Sequence, residues 1–142
     1  EILLKTIKEE SKGESLFEWL CHSLVWFDMN EENPHNFHLC FMMQLSRFLG
    51  FYPKKELAPN YQYFDLESGC FCGASPSKYL IGGDLALAFK ELLGTNFDTL
   101  DDISIPNVLR IKVLGVLIDY FNLHLHGFGK IKSVDILHEI FR

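Results

Sequence analysis

A run of apolar residues near the end of the chain gives the strongest periodic signal in the sequence. From Val108 to Leu125 nearly every position is apolar. The polar exceptions recur at steps of three and four, which places them in one narrow stripe along a helix. They are Lys112, Gly115, Asp119, Asn122 and His126. A helix that is apolar nearly all round must be covered nearly all round, so we expect it to form the centre of the domain.

Two shorter helices are predicted in the first half of the chain. Residues 2–10 have the pattern of the end of a helix. Ser15 to Glu18 has the form of a capping box, which predicts a helix to about Met29. Its expected core positions are Leu16, Trp19, Leu20, Leu24 and Phe27. Asn33 and Pro34 then form an N-cap and a first-turn proline, which predict a helix from Pro34 to Leu49.

This second helix should pack through one aromatic and aliphatic face and end abruptly. The expected core positions are Phe37, Phe41, Leu45, Phe48 and Leu49. Gly50 is placed to end the helix in a left-handed conformation, with Phe51 folding back and Pro53 preventing continuation.

The second half of the chain predicts a small hairpin and further helices. Alternating residues 61–66 and the run 70–72 predict two short strands joined by a turn at 67–69. Residues 73–83 are expected to form a loop, after which Asp84 should cap a helix to about Leu93. Residues 96–104 are expected to be a polar connector, and Ser133 should cap a last helix over 134–141. The predicted fold is mainly α: one domain over 1–142, a helical bundle around a long central helix, with one hairpin insertion at about 61–72.

Charge is unevenly distributed along the chain. The net charge of −6 argues against nucleic-acid binding by the whole surface. Residues 106–142, however, carry five basic and three acidic side chains. A second basic segment contains Arg47, Lys54 and Lys55, close to the aromatic residues Phe51 and Tyr52. Cations beside aromatic rings suit phosphate groups with stacked bases, or an acidic peptide with an apolar end. The candidate partner- or DNA-binding residues are therefore Arg47, Lys54, Lys55, Arg110, Lys112, Lys130 and Lys132, although a solvated face is the simpler interpretation of such charges.

Catalytic and metal-binding patterns are weak. Zinc could be attracted by the cysteine pair Cys70 and Cys72 and by the histidine pairs His35 with His38 and His124 with His126. The spacing of typical zinc ligands is missing, however. The sequence also has no nucleophile elbow, no metalloprotease motif and no phosphate-binding loop. Four cysteines are too few for a disulfide framework, which favours a reducing cytoplasm. We therefore expect no enzymatic activity, no metal and no cofactor.

Three segments together resemble the RecO family of bacterial recombination mediators, with the Bacteroides-type branch most similar. Residues 37–53, FHLCFMMQLSRFLGFYP, are similar to the family helix that ends in Leu-Gly and an aromatic residue before proline. Residues 63–69, YFDLESG, resemble its aromatic hairpin. Residues 119–134, DYFNLHLHGFGKIKSV, resemble its C-terminal signature.

The resemblance implies the helical C-terminal part of a RecO protein, without the N-terminal OB-fold barrel. It implies a non-enzymatic, cytoplasmic and nucleoid-associated protein of DNA repair and recombination. Its implied partners are single- and double-stranded DNA, the single-stranded-DNA-binding protein and RecR, and its implied role is strand annealing and RecA loading. Many family members hold zinc with two Cys-x-x-Cys pairs, of which only Cys70 and Cys72 remain here as a weak remnant. Two alternatives stay open: a helical protein–protein interaction or regulatory domain unrelated to DNA, and a metalloenzyme using these cysteines and histidines.

Overall fold

The structure, a computed structural model, describes residues 1–7, 13–30, 34–54 and 61–140, and the side chains of 137–140 are not described. Its elements confirm a mainly helical fold with a small β insertion. The α-helices are α1 (Ile2–Thr6), α2 (Glu14–Met29), α3 (Phe37–Phe48), α4 (Gly83–Leu93), α5 (Asn107–His124) and α6 (Lys132–Ile140). The strands are β1 (Tyr63–Asp65), β2 (Cys70–Cys72) and β3 (Leu80–Ile81), and short 3-10 helices cover Pro34–Asn36 and Phe97–Asp102.

Helix α5 is the centre of the domain, as its apolar pattern predicts. It packs against both α3 and α4. The predicted polar stripe faces solvent at all five positions. The buried side chains of α5 are Val113, Leu114, Leu117, Tyr120 and Phe121. Coverage is less complete than expected, because Val108 is 70% exposed and Ile111 is 43% exposed at the start of the helix.

Helix α3 ends as the sequence predicts. Gly50 has φ +88°, the Phe51 N–H donates to the Ser46 carbonyl at 3.0 Å, and the Gly50 N–H donates to the Arg47 carbonyl at 3.3 Å. This pair of bonds is the Schellman motif. The start differs from the prediction, because Pro34 opens a 3-10 turn and α3 begins only at Phe37. Asn33, the predicted cap, lies outside the described residues.

The deepest face of α3 is not the aromatic face that periodicity favoured. Leu39, Met42 and Met43 are fully buried, as is the predicted core residue Leu45, whereas Phe48 is 38% exposed. Both faces of this helix are apolar, so sequence periodicity could not rank them. The aromatic face packs against α2, where Trp19 stacks on Phe41 at 4.9 Å between ring centroids.

Helix α2 uses a narrower inner face than predicted. Trp19, the fully buried Ser23 and Trp26 face the domain, and the two tryptophan rings both stack on Phe97. Leu24 and Phe27, predicted as core residues, are 57% and 45% exposed. The helix begins at Glu14, so Ser15 lies within its first turn and no side-chain cap is formed among the described residues. The predicted capping box is therefore wrong.

The predicted hairpin is confirmed, and a third strand extends it. β1 pairs antiparallel with β2, with Phe64 opposite Phe71, and β3 pairs antiparallel with the other edge of β1. Phe64 and Phe71 are buried, whereas Tyr61, the first residue of the alternating segment, is 41% exposed. β3 lies within the predicted loop over 73–83, because two residues are too short to show alternation.

The start of α4 and the segment between α4 and α5 both differ from the prediction. α4 begins at Gly83 with Gly82 as its N-cap, so Asp84 lies inside the first turn and does not cap it. The expected polar connector contains a 3-10 helix. Its capping box is formed by Asn96 and Thr99, whose side chains each bond the other residue's backbone N–H at 3.1 Å. The Asn-x-x-Thr spacing was the signal in the sequence for this element.

Candidate binding surfaces

The first candidate surface follows the end of α3. The Arg47 guanidinium lies over the Tyr52 ring, 4.5 Å from its centroid. Tyr52 is itself fixed, because its hydroxyl donates to the Leu93 carbonyl at 2.9 Å. Arg47 and its chain neighbour Phe48 are both exposed. Within the described chain no carboxylate forms an ion pair with Arg47, so its guanidinium edge is available to a ligand.

Lys54 lies next to this group and is held by its backbone. Its N–H donates to the Gly69 carbonyl at 2.8 Å, and it forms a parallel bridge with Cys70. These bonds fix the Lys54 backbone beside the turn between β1 and β2, while the side chain is exposed. The predicted neighbour Lys55 lies outside the described residues.

Arg110 has an internal structural role. Its Nε donates to the Asn36 side chain at 3.1 Å, and one terminal nitrogen donates to the Ile105 carbonyl at 3.0 Å. Asn36 in turn donates to the Ile103 carbonyl at 3.2 Å. The guanidinium therefore joins the start of α5 to the start of α3. Burial, together with this nearby positive charge, lowers the pKa of His38 to about 4.

Lys112 lies on the exposed polar stripe of α5, away from the hydrogen bonds made by Arg110. Gly115 and Asp119 follow it along the same face and are also exposed. Among the described residues, no carboxylate forms an ion pair with Lys112. A single exposed lysine on a helix face suits weak, non-specific contact with an anion.

The glycine-containing loop after α5 is an ordered structure. Gly127 and Gly129 have φ +79° and +67°, and between them Phe128 is buried, with its ring 5.2 Å from that of Phe121. The Gly129 N–H donates to the Asn122 side chain at 2.9 Å. Two left-handed residues thus turn the chain so that Phe128 enters the core.

Residues at the start of the chain hold this loop in place. The Lys5 ammonium donates to the carbonyl of Phe128 at 2.8 Å and to that of Lys130 at 3.0 Å. The Glu1 carboxylate accepts from the backbone N–H groups of Lys132 at 3.0 Å and Ser133 at 2.8 Å. These hydrogen bonds lower the pKa of Glu1 to about 2.

Helix α6 is therefore capped from a distant part of the chain. It begins at Lys132, two residues before the predicted start, so Ser133 lies in its first turn. The prediction of Ser133 as the cap is wrong, because the Glu1 carboxylate takes that role. A carboxylate at a helix N-terminus both accepts the free N–H groups and interacts favourably with the helix dipole.

The two lysines of this loop are presented to solvent. Lys130 forms an ion pair with Asp135 at 3.2 Å, with the two side chains 81% and 64% exposed. An exposed pair of this kind contributes little to stability. Lys132 is also exposed. Both lysines are predicted site residues, whereas no local pattern in the sequence indicates a role for Glu1 or Lys5.

The cysteines do not assemble into a metal-binding group. Among the described residues, no three His, Cys, Asp or Glu side chains lie together in a way that could hold a metal ion. Burial and the nearby Asp65 carboxylate raise the pKa of Cys72, and burial raises that of Cys40 to about 12. Of the helices described, none has both the length and the apolar character needed to cross a membrane.

Comparison with known proteins gives the class of the chain. The sequence model of the family described as "Recombination protein O C terminal" matches residues 1–134. Curated relatives named "DNA repair protein RecO" match over 99% of the chain, with 34% identity in Azobacteroides pseudotrichonymphae, 35% in Bacteroides fragilis and 38% in Christiangramia forsetii. The chain belongs to the RecO family of DNA repair and recombination proteins, and matches its C-terminal part.

The match covers only part of each relative. The chain spans 58–59% of the length of these three proteins. No solved structure matched the chain.

Proposed function

We propose that this chain is the helical part of a non-enzymatic recombination mediator, which binds DNA and partner proteins in the cytoplasm, close to the nucleoid. The family match over residues 1–134 is the observation that carries this proposal. The proposed partners are the single-stranded-DNA-binding protein and RecR, and the proposed outcome is strand annealing and RecA loading.

The surface formed by Arg47, Phe48, Tyr52 and Lys54 is the proposed site for the acidic tail of the single-stranded-DNA-binding protein. Tyr52 holds the Arg47 guanidinium by a cation–π contact while leaving its N–H groups free for a carboxylate. Phe48 supplies adjacent apolar surface, and its ring is supported by Trp19 at 5.0 Å. A fixed cation beside an exposed ring suits a peptide that is both acidic and apolar.

Calorimetric titration of the chain with that tail peptide tests this site. Hydrogen bonds to a charged group contribute about 1.5–3 kcal/mol, so Arg47→Ala should weaken binding about tenfold or more. Lys90→Ala is the matched control, because Lys90 is an exposed base on α4, and it should leave the affinity unchanged. Equal heats for the wild-type chain and Arg47→Ala would refute the site.

DNA binding by this chain alone should be weak and sensitive to salt. The net charge is −6, and Lys112, Lys130 and Lys132 offer only a few cations to neutralise phosphates. Fluorescence anisotropy with labelled single-stranded DNA should show affinity falling as salt rises, and Lys130→Glu with Lys132→Glu should abolish binding. A sub-micromolar dissociation constant at physiological salt that this double variant leaves unchanged would contradict the prediction.

A regulatory helical domain unrelated to DNA is the alternative, and the acidic net charge is the observation that favours it. A pull-down from native lysate distinguishes the two. Recovery of RecR or the single-stranded-DNA-binding protein supports the mediator role, whereas recovery of neither supports the alternative.

A further inference from the structure

Helix α2 has an apolar outer face as well as an apolar inner face. Four large apolar side chains on its outer side are exposed: Phe17 by 68%, Leu24 by 57%, Val25 by 56% and Met29 by 77%. At helical spacing, Phe17, Cys21 and Leu24 fall on one line along the outer side, and Cys21 is also exposed. A helix that is apolar on both sides is normally covered on both sides.

The exposed apolar area is unusually large for one helix. A large side chain exposed to this degree presents on the order of 100 Å², so the four together present on the order of 400 Å². This is near the largest patch found on a typical monomer, and such patches are often functional.

The inner face fixes α2 in position, so the outer face is a rigid surface. Trp19 stacks on Phe41 at 4.9 Å, and Trp26 stacks on Phe37 at 5.9 Å. Ser23 lies fully buried between the two tryptophans, with its hydroxyl donating to the Trp19 carbonyl of the same helix at 2.7 Å. A ligand that covers a surface already held in this way loses little affinity to ordering it.

On α2 itself, the charged side chains beside the apolar line all have one sign. α2 carries Glu14, Glu18 and Asp28 but no lysine or arginine, and all three carboxylates are exposed. Asp28 follows Leu24 by four residues and Glu14 precedes Phe17 by three, so acids lie at both ends of the line. None of the three forms an ion pair within the described part of the chain.

This charge pattern favours some binding partners of the outer face over others. A second copy of α2 would bring acid against acid in either a parallel or an antiparallel arrangement, and like charges in close contact are unfavourable. Nucleic acid and anionic lipid are disfavoured for the same reason. A helix with an apolar stripe flanked by lysines or arginines fits both the apolar line and the carboxylates.

We propose that the outer face of α2 is a docking site for a basic amphipathic helix of a partner protein. Its apolar stripe would cover Phe17, Leu24 and Val25, while its cations would pair with Glu14, Glu18 and Asp28. The site lies on a different helix from Arg47 and has the opposite charge. It therefore serves a different partner from the acidic tail, and its test does not depend on the tail-binding site.

Fluorescence anisotropy with two labelled peptides tests the proposal. One probe is an 18-residue amphipathic helix of leucine and lysine, and the other has glutamate in place of every lysine. The lysine peptide should bind the wild-type chain, and the glutamate peptide should not. Phe17→Ala with Leu24→Ala should weaken binding of the lysine peptide at least tenfold. Circular dichroism should show unchanged helicity, since both side chains are exposed.

Charge substitutions separate a defined site from general attraction to an acidic protein. Glu14→Gln, Glu18→Gln and Asp28→Asn together should weaken binding of the lysine peptide at least fivefold. The control triple Glu67→Gln, Glu91→Gln and Asp119→Asn removes three exposed charges from other elements and should change binding less than twofold.

Three results would overturn the proposal. Equal losses in the two triple variants would indicate non-specific charge attraction. Equal binding of the two peptides would indicate simple apolar adhesion. Dimerisation of the chain in analytical ultracentrifugation that Phe17→Ala abolishes would assign the face to a second copy.

Discussion

The carboxylate of Glu1 accepts a hydrogen bond from the backbone N–H of Ser133, 2.8 Å away, although 132 positions separate the two residues. The first residue of the chain thereby caps its last helix. With the bonds from Lys5 to the loop before α6, it ties the C-terminal signature to the start of the chain. The lysines Lys130 and Lys132 are presented by a loop that is anchored on both sides.

Removal of this cap should release α6 without unfolding the domain. Glu1→Ala leaves the first N–H groups of α6 without their acceptor, so amide hydrogen exchange at the start of α6 should accelerate severalfold. Exchange in α5 should not change. Glu14→Ala is the matched control, since Glu14 is an exposed glutamate in the first turn of another helix. Unchanged exchange in α6 would show that the cap has no role in holding it.

The hydrogen bonds between the Glu1 carboxylate and α6 also predict how acid affects the stability of the chain. The pKa of Glu1 is lowered from 4.5 to about 2 in the folded chain, so its contribution is complete above pH 4.5 and is lost as pH falls toward 2. NMR titration of the Glu1 carboxylate should give a midpoint well below its ordinary value of 4.5. A midpoint near 4.5 would mean that the carboxylate is not bonded to α6.

Two glycines should differ in their response to alanine. Gly50 and Gly69 both have positive φ, but a Cβ on Gly50 meets nothing within 4 Å, whereas one on Gly69 would lie 2.8 Å from the Tyr120 hydroxyl. Gly50→Ala should cost about 1 kcal/mol of unfolding free energy from backbone conformation alone. Gly69→Ala should cost about 1–3 kcal/mol more, because overpacking adds to that strain. Urea unfolding of both variants measures the difference.

A double-mutant cycle identifies the clash at Gly69. The Tyr120 hydroxyl donates to the Phe51 carbonyl at 2.6 Å and therefore cannot move away freely. Tyr120→Phe removes the oxygen, so Gly69→Ala should be less harmful in that background, with a coupling of about 0.5 kcal/mol or more. Strict additivity would argue that the Tyr120 oxygen is not the obstacle.

Gly115 offers a substitution that should stabilise the chain. It lies in the middle of α5, is exposed, has no positive φ and has open space around its position for a Cβ. Gly115→Ala should therefore raise the unfolding free energy by about 0.5–1 kcal/mol through helix propensity. Gly127→Ala is the contrasting variant, because φ +79° at Gly127 predicts a loss. Thermal unfolding of both variants should show shifts of opposite sign.

His38 should make stability depend on pH in the mildly acidic range. Its pKa in the folded chain is about 4, compared with an ordinary value of 6.5, mainly because of burial. The unfolded chain binds the proton first, so stability is lost as pH falls from about 6.5 toward 4. The loss between pH 7.5 and 5 should reach up to about 2 kcal/mol. Urea unfolding of the wild-type chain and of His38→Gln should show a weaker pH dependence in the variant.

The sequence by itself determined the features that depend on neighbours along the chain. The central helix and its polar stripe, the glycine-ended α3 and the Phe64–Phe71 hairpin were all predicted, because helical period, left-handed glycine and strand alternation act over a few residues. The ordered set of three segments was also enough to indicate the RecO family, which the comparisons confirmed.

Only the tertiary structure decided which apolar faces are covered and which partners distant residues find. Periodicity could not show that Leu24 of α2 faces outward, because both sides of that helix are apolar. It could not show that Arg110 bonds to Asn36, or that Glu1 replaces Ser133 as the cap of α6. These contacts join residues that are far apart in sequence, so no periodic pattern in the residues between them indicates that the contacts form.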